Sequence, residues 1–147
     1  MTAPIVLFAF ARPEHTRITL EALSANSLAS QSDLIVYSDA ARSLEEEIKV
    51  TKVRSLAHNI RGFRSVSVIE RETNLGLARN IIEGVTDVCN RYGRLIVLED
   101  DMITSPYFLT FMNSALDKYY DNKTVWHING WNYPINPEGL SDTFFCA

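Results

Sequence analysis

The sequence predicts an α/β fold: a mostly parallel sheet with helices on both faces, in three layers. Three observations predict it. Short apolar runs alternate with stretches whose apolar residues recur near the helical period, in the order βαβαβαβαβ. The run Leu95-Ile96-Val97-Leu98 lacks any polar alternation, as expected of a strand covered on both faces. That run stops abruptly at Glu99-Asp100-Asp101, and open α/β sheets bind ligands just beyond the carboxyl ends of their strands.

Each element has its own local signal. Residues 5–10, all apolar, read as a buried first strand. Arg12-Pro13 opens a helix, because proline at the first helical position forfeits only an N–H that would be unpaired anyway. This helix runs through Ile18, Leu20 and Leu23 to a Ser/Asn-rich break near Asn26. Leu34-Ile35-Val36-Tyr37 is the second strand, ending at Ser38-Asp39. Ser43-Leu44-Glu45-Glu46 is a capping-box pattern, and Leu44, Ile48, Val53, Leu56 and Ala57 supply the apolar stripe of the helix it starts. Residues 65–70 alternate as a half-buried strand. Ala78, Ile81, Ile82, Val85, Val88 and Cys89 form the cleanest helical stripe, and Gly93 supplies its stop. Residues 95–98 form the central strand. Ser105-Pro106 reads as a second cap-plus-proline start, before a stripe of Phe108, Leu109, Met112, Leu116 and Tyr119. Val125-Trp126-His127-Ile128 reads as a last strand, leading into the aromatic loop Trp131-Asn132-Tyr133-Pro134.

The chain of 147 residues is sized for one domain, 1–147. Its net charge is −4, and no run of like charge is longer than Glu45-Glu46-Glu47. No basic stripe of the kind that nucleic acid requires is present, whereas nucleotide binding needs only a few local cations. Cys89 and Cys146 are the only cysteines, with no CxxC or His/Cys cluster, so Cys89 on its apolar helical face reads as a buried free thiol. Nothing resembles a signal peptide, and the first apolar run is too short to span a bilayer. A cytoplasmic setting is expected, compatible with peripheral membrane contact. Strand one begins almost at once, and the sequence given ends on the apolar Thr143-Phe144-Phe145-Cys146-Ala147, so the chain reads as the first part of a longer protein.

Four strand ends carry polar groups that a parallel sheet gathers at one edge. Arg12 follows strand one and Asp39 ends strand two. Asn74-Leu75-Gly76-Leu77-Ala78-Arg79-Asn80 follows strand three, and Glu99-Asp100-Asp101 ends strand four. Three adjacent acids repel one another unless a cation neutralises them. A hard dication such as Mg²⁺ or Mn²⁺ prefers carboxylate oxygens and shares them with phosphates, while arginines grip phosphate. The combination fits a nucleotide diphosphate bound through a divalent ion. The competing reading of the triplet is a helix start, where acids favour the positive end of the dipole. Arg12 could equally be a solvated residue before its helix, Asp39 a turn residue, Arg79 part of a salt-bridged helix face, and Asn74 a helix cap. Glu99 could face away from the crevice. His15 and His58 read as exposed helix positions and His127 as a packed strand residue. Phe108, Phe111 and Tyr119 read as core. No GxGxxG follows strand one, and no GxxxxGK[ST], GxSxG or HExxH occurs, so Rossmann cofactor binding, P-loop chemistry and common hydrolases are disfavoured.

Three stretches carry a family resemblance. "PIVLFAFAR" (4–12), "LIVYSD" (34–39) and the long segment from Leu95 to Tyr133 containing "LEDDMITSPYFLTFM" resemble the nucleotide-binding half of GT-A glycosyltransferases of the N-acetylglucosaminyltransferase I type. "NLGLARN" (74–80) is similar to a segment widespread in family 2 glycosyltransferases. The resemblance implies a Rossmann-like GT-A fold and metal-dependent, inverting transfer from a nucleotide sugar, a UDP-sugar foremost, to a hydroxyl of a glycan or lipid-linked acceptor. It implies Asp101 as ligand of Mn²⁺ or Mg²⁺, and Asp100 and Glu99 on the ribose or donor sugar. It places Asp39 on the nucleobase, Arg12 on base or phosphate, and the backbone of Phe8, Ala9 and Phe10 around the nucleotide. Arg79 would lie near the phosphates or sugar, and Trp131 beside the sugar pocket. The family's general base lies well past the EDD motif, so it is expected beyond Ala147, and this chain alone is expected to be inactive. Two alternatives share the acidic strand ends. A sugar-phosphate nucleotidyltransferase normally carries a glycine- and lysine/arginine-rich loop that "FAFARPEH" lacks. A phosphoacceptor receiver domain needs an acid pair after strand one.

Overall fold

The computed structural model describes residues 2–131. Along the chain lie β1 (Ile5–Ala9), α1 (Pro13–Ser24), a 3₁₀ turn (Ala29–Gln31), β2 (Asp33–Ser38), α2 (Leu44–Asn59), β3 (Ser65–Glu70), α3 (Leu77–Tyr92), β4 (Ile96–Glu99) and α4 (Phe108–Lys118). The four strands form one sheet in the order β3-β2-β1-β4, and every pairing is parallel. The predicted α/β architecture is therefore present.

The sheet separates two apolar layers. On one face Ile5, Leu7, Leu34, Val36, Ile96 and Leu98 pack against Leu20 and Leu23 of α1, Val53 and Ala57 of α2, and Leu109 and Met112 of α4. On the other, Val6, Phe8, Ile35 and Tyr37 pack against Val88, with Ile81 and Val85 beside it on α3. β1 is buried at every position, which is why its sequence shows no alternation.

Local signals set the helix ends with three corrections. Pro13 begins α1, as expected. The Ser43 hydroxyl caps α2 by accepting from the Glu46 N–H at 3.3 Å, but the Glu46 carboxylate accepts from the Arg42 N–H at 2.9 Å, one residue before the reciprocal partner of a capping box. Ser105-Pro106 does not start α4. The Phe108 N–H donates to the Ser105 carbonyl, making a turn, and the helix begins at Phe108. Asn74 is not a cap, because its side-chain amide donates to the Ala40 carbonyl at 2.6 Å.

Burial corrects more. β4 pairs only with β1 and is an edge strand among the described residues, not a central one. Val97 is 43% exposed because α3 covers β1 and β2 on that face without reaching β4. Residues 125–128 form no strand, and His127 there is exposed rather than packed. Leu44 and Ile48 point to solvent, while Val53 and Ala57 of the predicted stripe are buried together with Val50. Ala78, Ile82 and Phe111 are exposed, and the free thiol of Cys89 is only partly buried. The expectations for Asn132-Tyr133-Pro134, Cys146 and the apolar run ending at Ala147 lie outside the described residues. No helix among the described residues is long and apolar enough to cross a membrane.

Candidate nucleotide-binding cleft

The carboxyl ends of β1, β2 and β4 converge on a cavity of about 280 Å³. Of the residues singled out from sequence, Phe8, Ala9, Phe10, Arg12, Asp39, Glu99 and Asp100 line it. Arg42, Asn74, Gly76, Leu77 and Asn80 complete the lining. A groove of about 600 Å³ on the open side of β4 is larger, but its walls are mostly apolar, among them Val97, Met102, Ile103, Phe108 and Trp126. The smaller cavity holds the convergent carboxylates and guanidiniums, so it is the better candidate for chemistry.

One end of the cavity is built on Asp100. Its side chain is buried, and both oxygens are engaged: Oδ1 by the Arg12 guanidinium and Oδ2 by the Phe10 N–H at 3.2 Å. The hydroxyl of Thr19 on α1 donates to the Asp100 carbonyl at 3.0 Å, tying the turn after β4 to the helix. Arg12 also reaches Asp101 Oδ2 at 3.0 Å through Nη1. Partial burial pulls the Arg12 pKa down, but Asp100 and Asp101 outweigh it and hold the guanidinium more firmly charged than usual.

Asp101 differs from its neighbour. Its side chain is 45% exposed, and Oδ1 has no hydrogen-bond partner among the described residues. Mg²⁺ and Mn²⁺ are often held by one or two carboxylates plus substrate phosphates, a mode that one open carboxylate oxygen satisfies. No group of three or more His, Cys, Asp or Glu that could hold a metal ion occurs among the described residues. The residues therefore fit a dication shared with a phosphate ligand and do not form an all-protein metal cage.

The other end is built on Asp39, which is buried. Its Oδ1 accepts from the Ala40 and Leu75 N–H groups, and its Oδ2 from the Gly76 N–H, each at 2.9 Å. Gly76, at φ +74°, is the N-cap of α3 and has no side chain to cap with; Asp39, just past β2, holds its N–H and that of the residue before it. Three of the carboxylate's roughly four acceptor positions are used, leaving one on Oδ2.

Three expected residues lie outside the cavity lining. Arg79 is largely exposed and pairs with Glu83 one turn along α3 at 2.7 Å. Trp131 lines the apolar groove instead. Asp101 sits at the rim, joined to the cavity through Arg12. Sequence reasoning missed Arg42 and Asn80. Arg42 lies over the Phe10 ring at 5.2 Å from its centroid and is paired with Glu46. Asn80 had a readable signal: it falls on the buried stripe of α3 with Gly84 and Val88, at i, i+4 and i+8.

No protein-family model matches the sequence, and no curated protein matches it. The fold does have solved counterparts. S. aureus TarS superposes with a TM-score of 0.54 at 14% identity, over 82% of this chain and 20% of that one. Residues 1–349 of TarS match with a TM-score of 0.54 at 15% identity, over 82% of this chain and 33% of that one. The same TarS fragment in complex with UDP matches with a TM-score of 0.52 at 15% identity and the same coverage. The chain thus spans a third or less of the length of these counterparts and shares an α/β fold with them.

Proposed function

We propose that this chain is the donor-binding part of a metal-dependent glycosyltransferase that uses a nucleotide sugar, foremost a UDP-sugar. The observation that carries the reading is the set of charged groups that the strand ends bring to one cavity. Asp39 offers a buried, nearly saturated carboxylate that can accept one N–H from a neutral base. Arg12, and beside it the open oxygen of Asp101, are suited to a diphosphate and its dication. A counterpart of the same fold in complex with UDP supports a nucleotide as the ligand.

Asp101 would hold Mn²⁺ or Mg²⁺, which supplies Lewis-acid stabilisation of a departing diphosphate. Arg12 would divide its charge between the acidic pair and the phosphates. Asp100, saturated by Arg12 and Phe10, would keep the turn in place, and Glu99, exposed at the end of β4, is available to sugar hydroxyls. An inverting route would need a base and an acceptor site that these residues do not supply. We expect the acceptor to be a glycan or a lipid-linked glycan, and the protein to work in the cytoplasm, at most peripherally on a membrane.

A thermal-shift screen of nucleotide sugars with and without Mn²⁺ tests the reading. A rise in melting temperature that requires both nucleotide and metal supports it. No rise with any nucleotide sugar overturns it.

A further inference from the structure

Asn80 is a buried polar side chain in the cavity wall whose NH₂ group is uncommitted. It is 3% exposed. Its Oδ1 accepts from Arg71 Nε at 2.9 Å. Guanidinium nitrogens only donate, so the atom facing Arg71 must be the carboxamide oxygen, and the NH₂ group is directed elsewhere. That NH₂ has no protein partner among the described residues. It is not sealed off either: Arg71 Nη2 is the one fully buried side-chain nitrogen or oxygen without a partner among them. Arg71 is itself braced. Its guanidinium lies 5.1 Å from the centroid of the Tyr37 ring, its Nη1 is 3.6 Å from Glu83, and its N–H donates to the Ser38 carbonyl at 2.9 Å. The brace fixes which way the Asn80 amide presents its donor.

Asn80 and Asp39 both line the cavity. The Asn80 N–H donates to the Gly76 carbonyl, and the Gly76 N–H donates to Asp39, so the first turn of α3 links the two. The lining therefore offers one free acceptor on Asp39 Oδ2 and one free donor group on Asn80. A ligand edge that satisfies both carries an N–H beside a carbonyl oxygen. The imide edge of uracil is such an edge, and a phosphate is not, since it has no N–H to give.

We infer that Asn80 is a specificity-determining residue of the cleft, donating its side-chain N–H to a carbonyl oxygen of the nucleobase, with Arg71 as the residue that orients it. This rests on the nucleotide reading above and adds a base contact to it.

The test combines isotope-edited NMR with binding measurements on the full chain. The Asn80 side-chain amide signal shifts on adding UDP or uridine with Mg²⁺, and stays in place with Mg²⁺-pyrophosphate. Asn80→Asp keeps the acceptor for Arg71 and so keeps the fold, but replaces the donor with an acceptor. It weakens UDP binding at least about tenfold. Arg71→Lys, which removes the Nε donor, lowers UDP affinity and leaves the pyrophosphate response intact. An Asn80 signal that moves equally with pyrophosphate, or an Asn80→Asp chain that binds UDP as well as the parent, overturns the inference and leaves nucleotide binding standing. If no signal of the parent chain moves with UDP, both readings fall.

Discussion

Asp100 is held by Arg12 on one carboxylate oxygen and by the Phe10 N–H on the other, so the turn after β4 is latched to the segment after β1. The two partners contribute unequally. Asp100 is 1% exposed, whereas the Arg12 side chain is 46% exposed and has Asp101 as a second partner. Asp100→Ala strands the Phe10 N–H and is expected to cost about 2 kcal/mol in chemical denaturation. Arg12→Ala leaves the buried Asp100 carboxylate without its counter-charge and is expected to cost more, about 3 kcal/mol. Equal losses for the two variants would contradict this asymmetry.

Asp39 has a structural duty whatever it binds. Removing its carboxylate leaves the N–H groups of Ala40, Leu75 and Gly76 without an acceptor at a buried junction of β2 and α3. Asp39→Ala should destabilise the chain by about 2–4 kcal/mol. Faster hydrogen exchange of these three amides, beyond the global change, is the accompanying signature.

Gly84 is needed for its lack of a side chain. A Cβ there would sit 2.7 Å from Phe8 Cε1 and 3.2 Å from Tyr37 Cδ2. These rings stack with centroids 5.4 Å apart and cannot both retreat into a packed layer. Gly84→Ala is expected to cost about 1–3 kcal/mol as overpacking. Phe8 lines the cavity, so nucleotide affinity should fall as well. An unchanged melting midpoint would show that the layer has slack.

Tyr37 makes stability sensitive to alkali. Burial, and then the hydrogen bond from its hydroxyl to Asp87 at 2.8 Å, push its pKa up to about 12. The folded state thus holds this proton more tightly than the unfolded chain, whose tyrosine titrates near about 10. The stabilisation is complete below pH 10 and is lost as pH rises from about 10 toward 12. Spectrophotometric titration should find one tyrosine ionising late, and Tyr37→Phe should flatten the loss of stability over that window. A Tyr37→Phe chain with the parent's alkaline profile would refute the assignment.

The architecture was legible because β1 and β2 carry local signals that agree with their packing. Continuous apolar runs coincide with strands covered on both faces, and Pro13 and Gly93 mark helix ends that the backbone respects. The failures share a cause: they depend on which neighbour lies across a gap. Val97 looks like core from its sequence run, but its face of β4 receives no helix among the described residues. Leu44 and Ile48 keep the helical period, but the sheet meets α2 on the side of Val50, Val53 and Ala57. In the cleft, acids at strand ends were readable because a parallel sheet must bring those ends together. Arg79 was misleading because its neighbour Asn80, not it, turns inward.

The central claim is that Asp101 seats a dication bridging to a nucleotide diphosphate in this cavity. Titration calorimetry of UDP into the chain and into Asp101→Ala, each with Mn²⁺ and with a chelator, tests it most directly. The account predicts binding to the parent chain that disappears with the chelator and in Asp101→Ala, while the variant keeps the parent's melting midpoint. Metal-dependent binding that survives intact in Asp101→Ala would contradict it.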